Sequence, residues 1–174
     1  MRVLLSAPEI ATRVAALGRD ITRDYQGRPL LVVGVLHGSV VLVADLIRQV
    51  ETRHQIAFVR ASSYRGETTE HLDLQTSLVG LPPLAGRDVL LVDDIFDTGR
   101  TLQRLSQELQ AQHPASLKTA VLLWKTARRQ VDASPDYWAF QIPDEFVVGY
   151  GLDYNSDFRH LPYIGVLEAD DLKK

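Results

Sequence analysis

Residues 89–102, VLLVDDIFDTGRTL, carry the side chains best suited to chemistry. Four apolar residues lead directly to the paired acids Asp93 and Asp94, and a third acid, Asp97, begins the run Asp-Thr-Gly-Arg-Thr. Adjacent carboxylates at the end of a strand can bind hydrated magnesium or the hydroxyl groups of a sugar. A glycine-containing turn that opens a helix presents unpaired N–H groups to a phosphate, and the threonines add hydroxyl donors. The stretch therefore predicts a binding site for a phosphorylated ligand rather than acids that only cap a helix.

Strand-like and helix-like segments alternate along the chain around this stretch. A capping-box pattern at Ser6 and Glu9 starts the first predicted helix, which Gly27 and Pro29 end. Apolar spacing then predicts a strand at Leu30–Leu36, a helix at 40–50, a strand at 55–64, a loop at 65–70, strands at 71–79 and 89–92, a helix at 101–112, a strand at 117–124, and short strands within 137–168. Such alternation indicates an α/β fold with a mostly parallel sheet flanked by helices. Ligands of such sheets bind at the carboxyl ends of the strands.

Composition and charge exclude several classes of protein. The chain has 174 residues, of which 45% are hydrophobic and 24% charged, as expected for one globular domain rather than a disordered or collagen-like chain. The absence of cysteine excludes disulfide scaffolds, zinc–thiolate sites and thiol nucleophiles, and favours a reducing, cytoplasmic location. A net charge of −3 gives no general attraction to nucleic acid or to an anionic membrane. We also find no signal-peptide pattern and no membrane span, because the triplet His37-Gly38-Ser39 interrupts the apolar run at 30–47.

The same residues carry a family resemblance. Residues 89–102 resemble the phosphoribosyl pyrophosphate-binding motif of the type I phosphoribosyltransferases, in which a hydrophobic run is followed by paired acids and Asp-Thr-Gly-x-Thr. Residues 142–154, IPDEFVVGYGLDY, and 158–164, FRHLPYI, resemble the base-binding hood of the hypoxanthine-guanine phosphoribosyltransferases. With LHGS at 36–39, SSY at 62–64 and LWK at 123–125, the similarity runs from about Leu30 to Leu167.

The resemblance implies an activity and a domain plan. It implies purine salvage, in which phosphoribosyl passes from 5-phosphoribosyl 1-pyrophosphate to hypoxanthine or guanine, giving IMP or GMP and pyrophosphate, with Mg²⁺ as cofactor. Residues 1–174 form one phosphoribosyltransferase domain, with a core at about 28–135 and a small hood over the active site, mainly from 136–168 plus the N-terminal segment. The family analogy also implies a homodimer or homotetramer.

The resemblance gives each matching residue a role. Asp97 is the candidate catalytic acid/base near purine N7. Phosphoribosyl pyrophosphate is expected to contact Leu36, His37, Gly38, Ser63, Tyr64, Asp93, Asp94, Thr98, Gly99, Arg100, Thr101 and Arg159. The purine is expected to contact Lys125, Phe146, Val147 and Asp153, and magnesium Asp93, Asp94 and Asp153. Two positions depart from the family pattern: Asp93 stands where Glu is usual, and His37 where Lys or another polar residue is usual.

Each role has a simpler structural alternative. Asp97 could be a helix N-cap, and Lys125 could extend its ammonium to water. Phe146 and the two valines that follow it could form an ordinary buried strand, Asp153 could be a turn residue, and Arg159 a solvated surface cation. If Lys125 faces the base, its ammonium favours a 6-oxo group over the 6-amino group of adenine, because it offers donors and no acceptor.

Two features concern the conformation of backbone segments. The resemblance implies that the Leu36-His37 peptide bond is often cis and presents N–H groups to pyrophosphate. It also implies that 65–70 belong to a mobile loop that closes over the reaction and excludes water. The alternative for that segment is a surface hairpin loop.

Two other functions remain open at this point. One is a xanthine-preferring or otherwise different phosphoribosyltransferase. The other is a non-catalytic regulator that binds nucleotide or RNA on the same fold. RNA binding would require a basic stripe with stacking aromatics, whereas the basic residues here are dispersed among acids. We therefore expect small-molecule substrates as partners, and neither nucleic acid nor membrane.

Overall fold

In the part of the chain that the structure describes, the apolar runs of the sequence form two sheets and three α-helices. The computed structural model describes residues 1–64, 73–168 and 171. In chain order the elements are β1 (Arg2–Leu5), α1 (Ala7–Asp24), β2 (Leu30–Leu36), α2 (Val40–Leu46), β3 (His54–Tyr64), β4 (Asp73–Ser77), β5 (Asp88–Phe96), α3 (Arg100–Gln110), β6 (Ser116–Trp124), β7 (Tyr137–Gln141), β8 (Val147–Val148) and β9 (Ile164–Val166). A single 3-10 turn, Thr126–Arg128, follows β6.

The larger sheet has six strands in the order β4-β3-β2-β5-β6-β7. All neighbours run parallel except β3 and β4, which are antiparallel. Buried residues of β2 alternate between two apolar clusters: Leu30 and Val32 face the core that includes α1 and α2, whereas Leu31 and Val33 face the core beneath α3. This is the predicted α/β fold, with a mostly parallel sheet covered by helices on both faces.

Helix α1 follows its sequence pattern closely. The Ser6 backbone N–H donates to Glu9 Oε2 at 2.8 Å, and the Ser6 hydroxyl donates to the same carboxylate at 2.5 Å. The apolar positions at helical spacing, Ile10 and Ile21 among them, are almost fully buried. The capping contacts fix where the helix begins, and the apolar face fixes which side contacts the sheet.

Three elements differ most from the predicted boundaries, whereas the others agree to within two residues at each end. Helix α2 ends at Leu46 rather than at residue 50, and the chain turns before β3. Strand β5 continues past the paired acids, because its parallel pairing with β6 extends to Ile95 opposite Leu123 and Phe96 opposite Trp124. The strand predicted at 71–79 ends at Ser77 rather than at residue 79. Its first two residues and the loop predicted at 65–70 lie outside the described residues.

A second, three-stranded sheet has the order β1-β9-β8 and is antiparallel. Sequence analysis did not predict β1, because four residues are too few to show a period. Arg2 Nη2 lies 2.6 Å from Glu145 Oε1, so an ion pair connects β1 to the segment before β8. Strand β7 does not join this small sheet but forms one of the two edges of the larger sheet.

Within the described part of the chain, no helix has both the length and the apolar character that a membrane crossing requires.

The contact between α1 and the turn that follows α2 gives a test of the packing. A Cβ atom on Gly18 would overlap the Gln49 side chain and lie 2.9 Å from the Gln49 backbone carbonyl. We expect Gly18→Ala to lower the free energy of unfolding by about 1 kcal/mol, since overpacking of about 1–3 kcal/mol outweighs a helix-propensity gain of about 1 kcal/mol. Urea unfolding measures this change.

The control is the opposite substitution at an exposed position of the same helix. Ala11→Gly should also lose about 1 kcal/mol, from helix propensity alone. A stabilised Gly18→Ala variant would show that the backbone near residue 49 moves away without cost.

Candidate functional site

A cavity of about 640 Å³ lies at the carboxyl ends of β2 and β5. It brings together twelve of the residues singled out in the sequence: Leu36, His37, Gly38, Asp93, Asp94, Asp97, Thr98, Gly99, Arg100, Thr101, Asp153 and Arg159. They come from three segments that are far apart in the chain. Parallel pairing of β2 with β5 places residues 36–38 and 93–101 at one edge of the sheet, and packing of Gly151 on the Gly38 carbonyl brings the segment of Asp153 and Arg159 beside them. This is the edge at which ligands of such sheets bind.

A cavity of about 710 Å³ lies near the amino end of β2. It is lined by four arginines, but Arg23 is paired with Asp20 and Arg28 with Asp88. Because none of the predicted site residues lies there, we place the functional site at the carboxyl edge instead.

The loop after β2 packs directly against the paired acids. A Cβ atom on Gly38 would overlap Asp94 Oδ2, so only glycine lets the chain approach the carboxylate this closely. Gly151, at φ +102°, packs in turn against the Gly38 carbonyl oxygen. The Leu36-His37 peptide bond is cis, as the resemblance implied. The His37 side chain is exposed.

The paired acids are an electrostatically unfavourable arrangement. Burial raises the pKa of Asp93 well above its ordinary value, and the neighbouring charge of Asp94 raises it further. Burial also raises the pKa of Asp94, although the positive charge of Arg159 partly offsets this effect. Two adjacent carboxylates that resist ionisation would gain most from a cation or from ligand hydroxyl groups.

The turn at 97–101 opens α3 towards the cavity. Gly99 is the N-cap residue, with φ +85°, and the helix begins at Arg100 with no acid in its first turn. Backbone N–H groups of a first helical turn have no carbonyl partner within the helix and attract an anion. Since Gly99 occupies the cap, the alternative that Asp97 is the N-cap is wrong.

Arg159 and Asp153 form a fixed pair at the other side of the cavity. Arg159 Nη2 lies 2.7 Å from Asp153 Oδ1, and Arg159 Nη1 donates to the Gly151 carbonyl at 2.6 Å. These contacts orient the guanidinium, so Arg159 is not a freely solvated surface cation. The other carboxylate oxygen of Asp153 accepts the Ser156 backbone N–H at 2.8 Å. Asp153 therefore also stabilises a turn of the chain.

Lys125 lies beside the tip of β5. Its backbone N–H donates to the Phe96 carbonyl at 2.9 Å, immediately before Asp97. Its side chain is only 6% exposed, and Nζ lies 3.6 Å from Asp144 Oδ1. The alternative that Lys125 extends its ammonium into water is therefore wrong.

Phe146 behaves differently from the two valines that follow it. Val147 and Val148 are buried in β8, as an ordinary strand would be. Phe146 is 55% exposed, and its ring meets the Tyr154 ring edge-on with centroids 5.7 Å apart. An exposed aromatic face of this kind is available for stacking on a planar ligand.

The lining of the cavity does not include every predicted residue. Lys125, Phe146 and Val147 lie outside it. Ser63 and Tyr64 stand at the end of β3, but their side chains lie outside the described part of the chain.

A comparison with known protein families decides what this arrangement belongs to. The model of the phosphoribosyl transferase domain matches residues 3–155, which include β5, α3 and the cavity lining up to Asp153. The chain belongs to the phosphoribosyl transferase family.

Similar members of the family carry closely related names. A hypoxanthine-guanine phosphoribosyltransferase of Staphylococcus epidermidis is 44% identical over 172 residues, which is 99% of this chain and 96% of that protein. A hypoxanthine phosphoribosyltransferase of Escherichia coli K12 is 42% identical over 167 residues, covering 95% and 94% of the two chains.

Solved structures agree with this assignment. The crystal structure of a hypoxanthine phosphoribosyltransferase from Staphylococcus aureus has a TM-score of 0.92 and 40% identity, and it covers all of this chain and 95% of its own. A ternary substrates complex of the Trypanosoma cruzi enzyme has a TM-score of 0.91 and 36% identity, covering 99% and 97%. The type I phosphoribosyltransferase fold is therefore shown by both sequence and structure.

The phosphoribosyl transferase site contains residues that sequence reasoning missed. Arg128 Nε lies 3.4 Å from Asp97 Oδ1, and Arg128 Nη1 lies 3.6 Å from Asp144 Oδ1. Arg128 ends the short 3-10 turn after β6, and Asp144 lies in the irregular segment after β7, so no periodic pattern marked them. The only available signal was their nearness in sequence to Lys125 and Phe146.

Magnesium binding depends on the geometry of the acids. Among residues 1–64, 73–168 and 171, no group of three or more acidic, histidine or cysteine side chains is close enough to hold a metal ion alone. Mg²⁺ is commonly bound through one or two carboxylates, with substrate phosphates and water completing its octahedron. Asp93 and Asp94 fit that pattern, whereas Asp153 is already paired with Arg159.

The raised pKa of Asp93 predicts a pH-dependent stability. Between the ordinary value of 3.8 and the raised value, the folded state holds a proton that the unfolded chain has lost, so stability falls as pH rises through this window. An amide at this position cannot ionise and would avoid this loss, which is about 1.4 kcal/mol for each unit of raised pKa. We expect Asp93→Asn to be more stable than wild type at pH 7 without divalent cations.

The difference between the two proteins should shrink as the pH falls below the ordinary value of 3.8, because Asp93 then becomes protonated in the unfolded chain as well as in the folded state. Urea unfolding of both proteins at a series of pH values, in buffer containing a chelator, measures this difference in the free energy of unfolding. A difference that is constant with pH would mean that the substitution acts through packing instead.

Proposed function

We propose that this chain transfers phosphoribosyl from 5-phosphoribosyl 1-pyrophosphate to hypoxanthine or guanine, giving IMP or GMP and pyrophosphate. One observation carries the proposal: the Lys125 N–H to Phe96 carbonyl bond places a buried, donor-only side chain beside the anion-binding turn at 97–101. A phosphorylated sugar held by that turn and an oxygenated base held by that lysine would therefore meet at Asp97. Similarity to hypoxanthine-guanine phosphoribosyltransferases over nearly the whole chain supports the same activity.

Each part of the sugar donor has a matching surface in the cavity. The turn of Thr98, Gly99, Arg100 and Thr101 would bind the 5′-phosphate through backbone N–H groups and hydroxyls. Asp93 and Asp94 would accept hydrogen bonds from the ribose hydroxyls. Backbone groups of the loop at 36–38 and the oriented guanidinium of Arg159 would bind pyrophosphate.

The base would be recognised by two side chains and one backbone segment. Lys125 would donate to the exocyclic O6, Phe146 would stack on the ring, and the backbone of Val147 would meet the pyrimidine edge. Lys125 offers hydrogen-bond donors and no acceptor, so the donor hydrogens of a 6-amino group would find no acceptor on this side chain. Sites built on such a bond reject the wrong analogue by up to about 10⁴-fold.

The reaction itself needs charge control rather than a covalent intermediate. The bond from the anomeric carbon to pyrophosphate breaks as the bond to purine N9 forms, and the proton at N7 passes to the Asp97 carboxylate. Arg159 would offset the charge that develops on pyrophosphate. Asp93 and Asp94 would hold Mg²⁺, which would supply further neutralisation of that charge.

The small sheet supports the expected domain plan. Strands β1, β8 and β9 join the N-terminal segment to 147–166, so this unit would form the hood, with Phe146 at its edge. We propose a cytoplasmic location from the absence of cysteine and from the reaction, which uses soluble metabolites.

A parallel assay of five bases tests the activity. Purified protein with the sugar donor and Mg²⁺ should convert hypoxanthine and guanine to nucleotides, but not adenine or uracil; xanthine is the fifth base. Rapid conversion of adenine, or no conversion of any base, would refute the proposal. A preference for xanthine would retain the transferase and correct the base.

Asp97→Asn tests the proton-transfer role. Loss of a general acid/base group lowers turnover by about 10²- to 10⁴-fold, whereas binding of the sugar donor depends on other residues. We expect kcat to fall by about 10²-fold or more, with the KM for the donor changed by no more than about threefold. Asp132→Asn, the same substitution at an exposed position outside the cavity, is the control. Unchanged turnover in Asp97→Asn would remove this residue from the mechanism.

An exposed apolar patch supports a homodimer or homotetramer. Ile56 and Phe58 lie at alternate positions on one face of β3 and are 45% and 36% exposed. A Cβ atom on Gly34 would meet both Phe58 and Val43 of α2, so this face adjoins α2, on which Val40 is 42% exposed. Apolar side chains clustered at one surface commonly mark an interface between subunits. We expect light scattering to give at least twice the 19.5 kDa chain mass, and Phe58→Glu to shift the protein towards the monomer. A wild-type protein that is monomeric at micromolar concentration would refute this.

A further inference from the structure

Lys125 and Asp97 are the two ends of a row of four charged side chains whose signs alternate. Lys125 Nζ lies 3.6 Å from Asp144 Oδ1, and the same oxygen lies 3.6 Å from Arg128 Nη1. Arg128 Nε then lies 3.4 Å from Asp97 Oδ1. The chain of contacts therefore runs from the base-recognition lysine to the candidate acid/base group without a gap.

These contacts are longer than charge-assisted hydrogen bonds, which measure about 2.7–2.9 Å. The attraction is electrostatic, and the hydrogen-bonding capacity of the end groups remains available. The 3.6 Å contact of Lys125 Nζ with Asp144 is too long for a hydrogen bond. Within the described part of the chain, the buried Oδ1 of Asp97 accepts no hydrogen bond. Both end groups are thus held in place while keeping donors or acceptors for a ligand.

The geometry of a 6-oxopurine explains why such an arrangement is needed. O6 and N7 lie on the same edge of the purine ring. A protein that donates to O6 and accepts a proton from N7 must therefore place an ammonium and a carboxylate close together. Two such groups of opposite charge would normally pair with each other and block the base edge. Here each is paired with a different intermediate residue instead.

The intermediate residues also join three separate segments. Arg128 closes the 3-10 turn after β6, Asp97 follows β5, and Asp144 stands in the segment that leads to Phe146. Asp144 and Arg128 are 52% and 46% exposed, so they lie at the rim of the site, whereas Lys125 is buried. The rim position lets them be substituted without opening the core.

We propose that Arg128 and Asp144 are positioning residues of the base subsite, which keep Lys125 and Asp97 apart so that both can engage one edge of a 6-oxopurine. This inference rests on the proposed function. It predicts that losing either residue weakens use of the base far more than use of the sugar donor, because the turn at 98–101 and Arg159 are outside the ion-pair chain.

Steady-state kinetics of matched variants test this role. Arg128→Gln and Asp144→Asn should each lower kcat/KM for hypoxanthine by about tenfold or more, with the KM for the sugar donor within about twofold of wild type. Arg128→Lys should recover only part of the loss, because an ammonium cannot reproduce the two-sided contact of a planar guanidinium. Arg129→Gln is the control, since Arg129 is exposed, adjacent, and free of ion pairs among residues 1–64, 73–168 and 171. Thermal unfolding of each variant separates loss of folding from loss of positioning.

Double-mutant cycles provide the sharper test. If both residues act through one bridge, the combined Arg128→Gln/Asp144→Asn variant should lose much less than the product of the single losses. Likewise, Arg128→Gln should add little in a protein that already carries Asp97→Asn. The inference is overturned if Arg128→Gln matches Arg129→Gln, if the KM values for base and donor rise together, or if the losses multiply. A wild-type protein that converts no 6-oxopurine would instead refute the proposed function itself.

Discussion

The parallel pairing of β5 with β6 is the constraint on which the site depends. The pairing extends to Phe96 opposite Trp124, and the next hydrogen bond runs from the Lys125 N–H to the Phe96 carbonyl. Since side chains that follow two adjacent parallel strands emerge at the same edge, Asp97 and Lys125 must lie side by side. The separation between the turn at 97–101 and Lys125 is therefore set by backbone hydrogen bonds rather than by loop conformation.

The cost of this arrangement is concentrated at the paired acids. The strand that carries Asp97 to its position also buries Asp93 and packs Asp94 against Gly38, so the pKa of both carboxyl groups is raised by burial. Binding sites commonly retain such unfavourable charge where a ligand or cation relieves it. Buried apolar clusters on both faces of the sheet fix the strand that carries these acids.

The other side of the cavity is built from close backbone contacts. Gly151 packs on the Gly38 carbonyl, and its own carbonyl accepts from Arg159. A guanidinium oriented in this way presents its remaining donors in a fixed direction, which suits recognition of pyrophosphate oxygens. The site thus combines close backbone contacts on one side with the longer contacts of the ion-pair chain from Lys125 to Asp97 on the other.

The sequence alone determined the features that depend on local order: the α/β alternation, the capped first helix, the run of paired acids before the Thr-Gly turn, and twelve of the cavity-lining residues. Tertiary structure decided the rest. The length of β5 depends on its pairing with β6. Strand β1 forms because β9 pairs with it. The contact of Gly151 with Gly38 joins segments that are far apart in the chain. Only the tertiary structure identified Arg128 and Asp144, because folding brings together two short segments that are separate in the chain. Such short segments carry no periodic pattern from which a sequence could predict the contact.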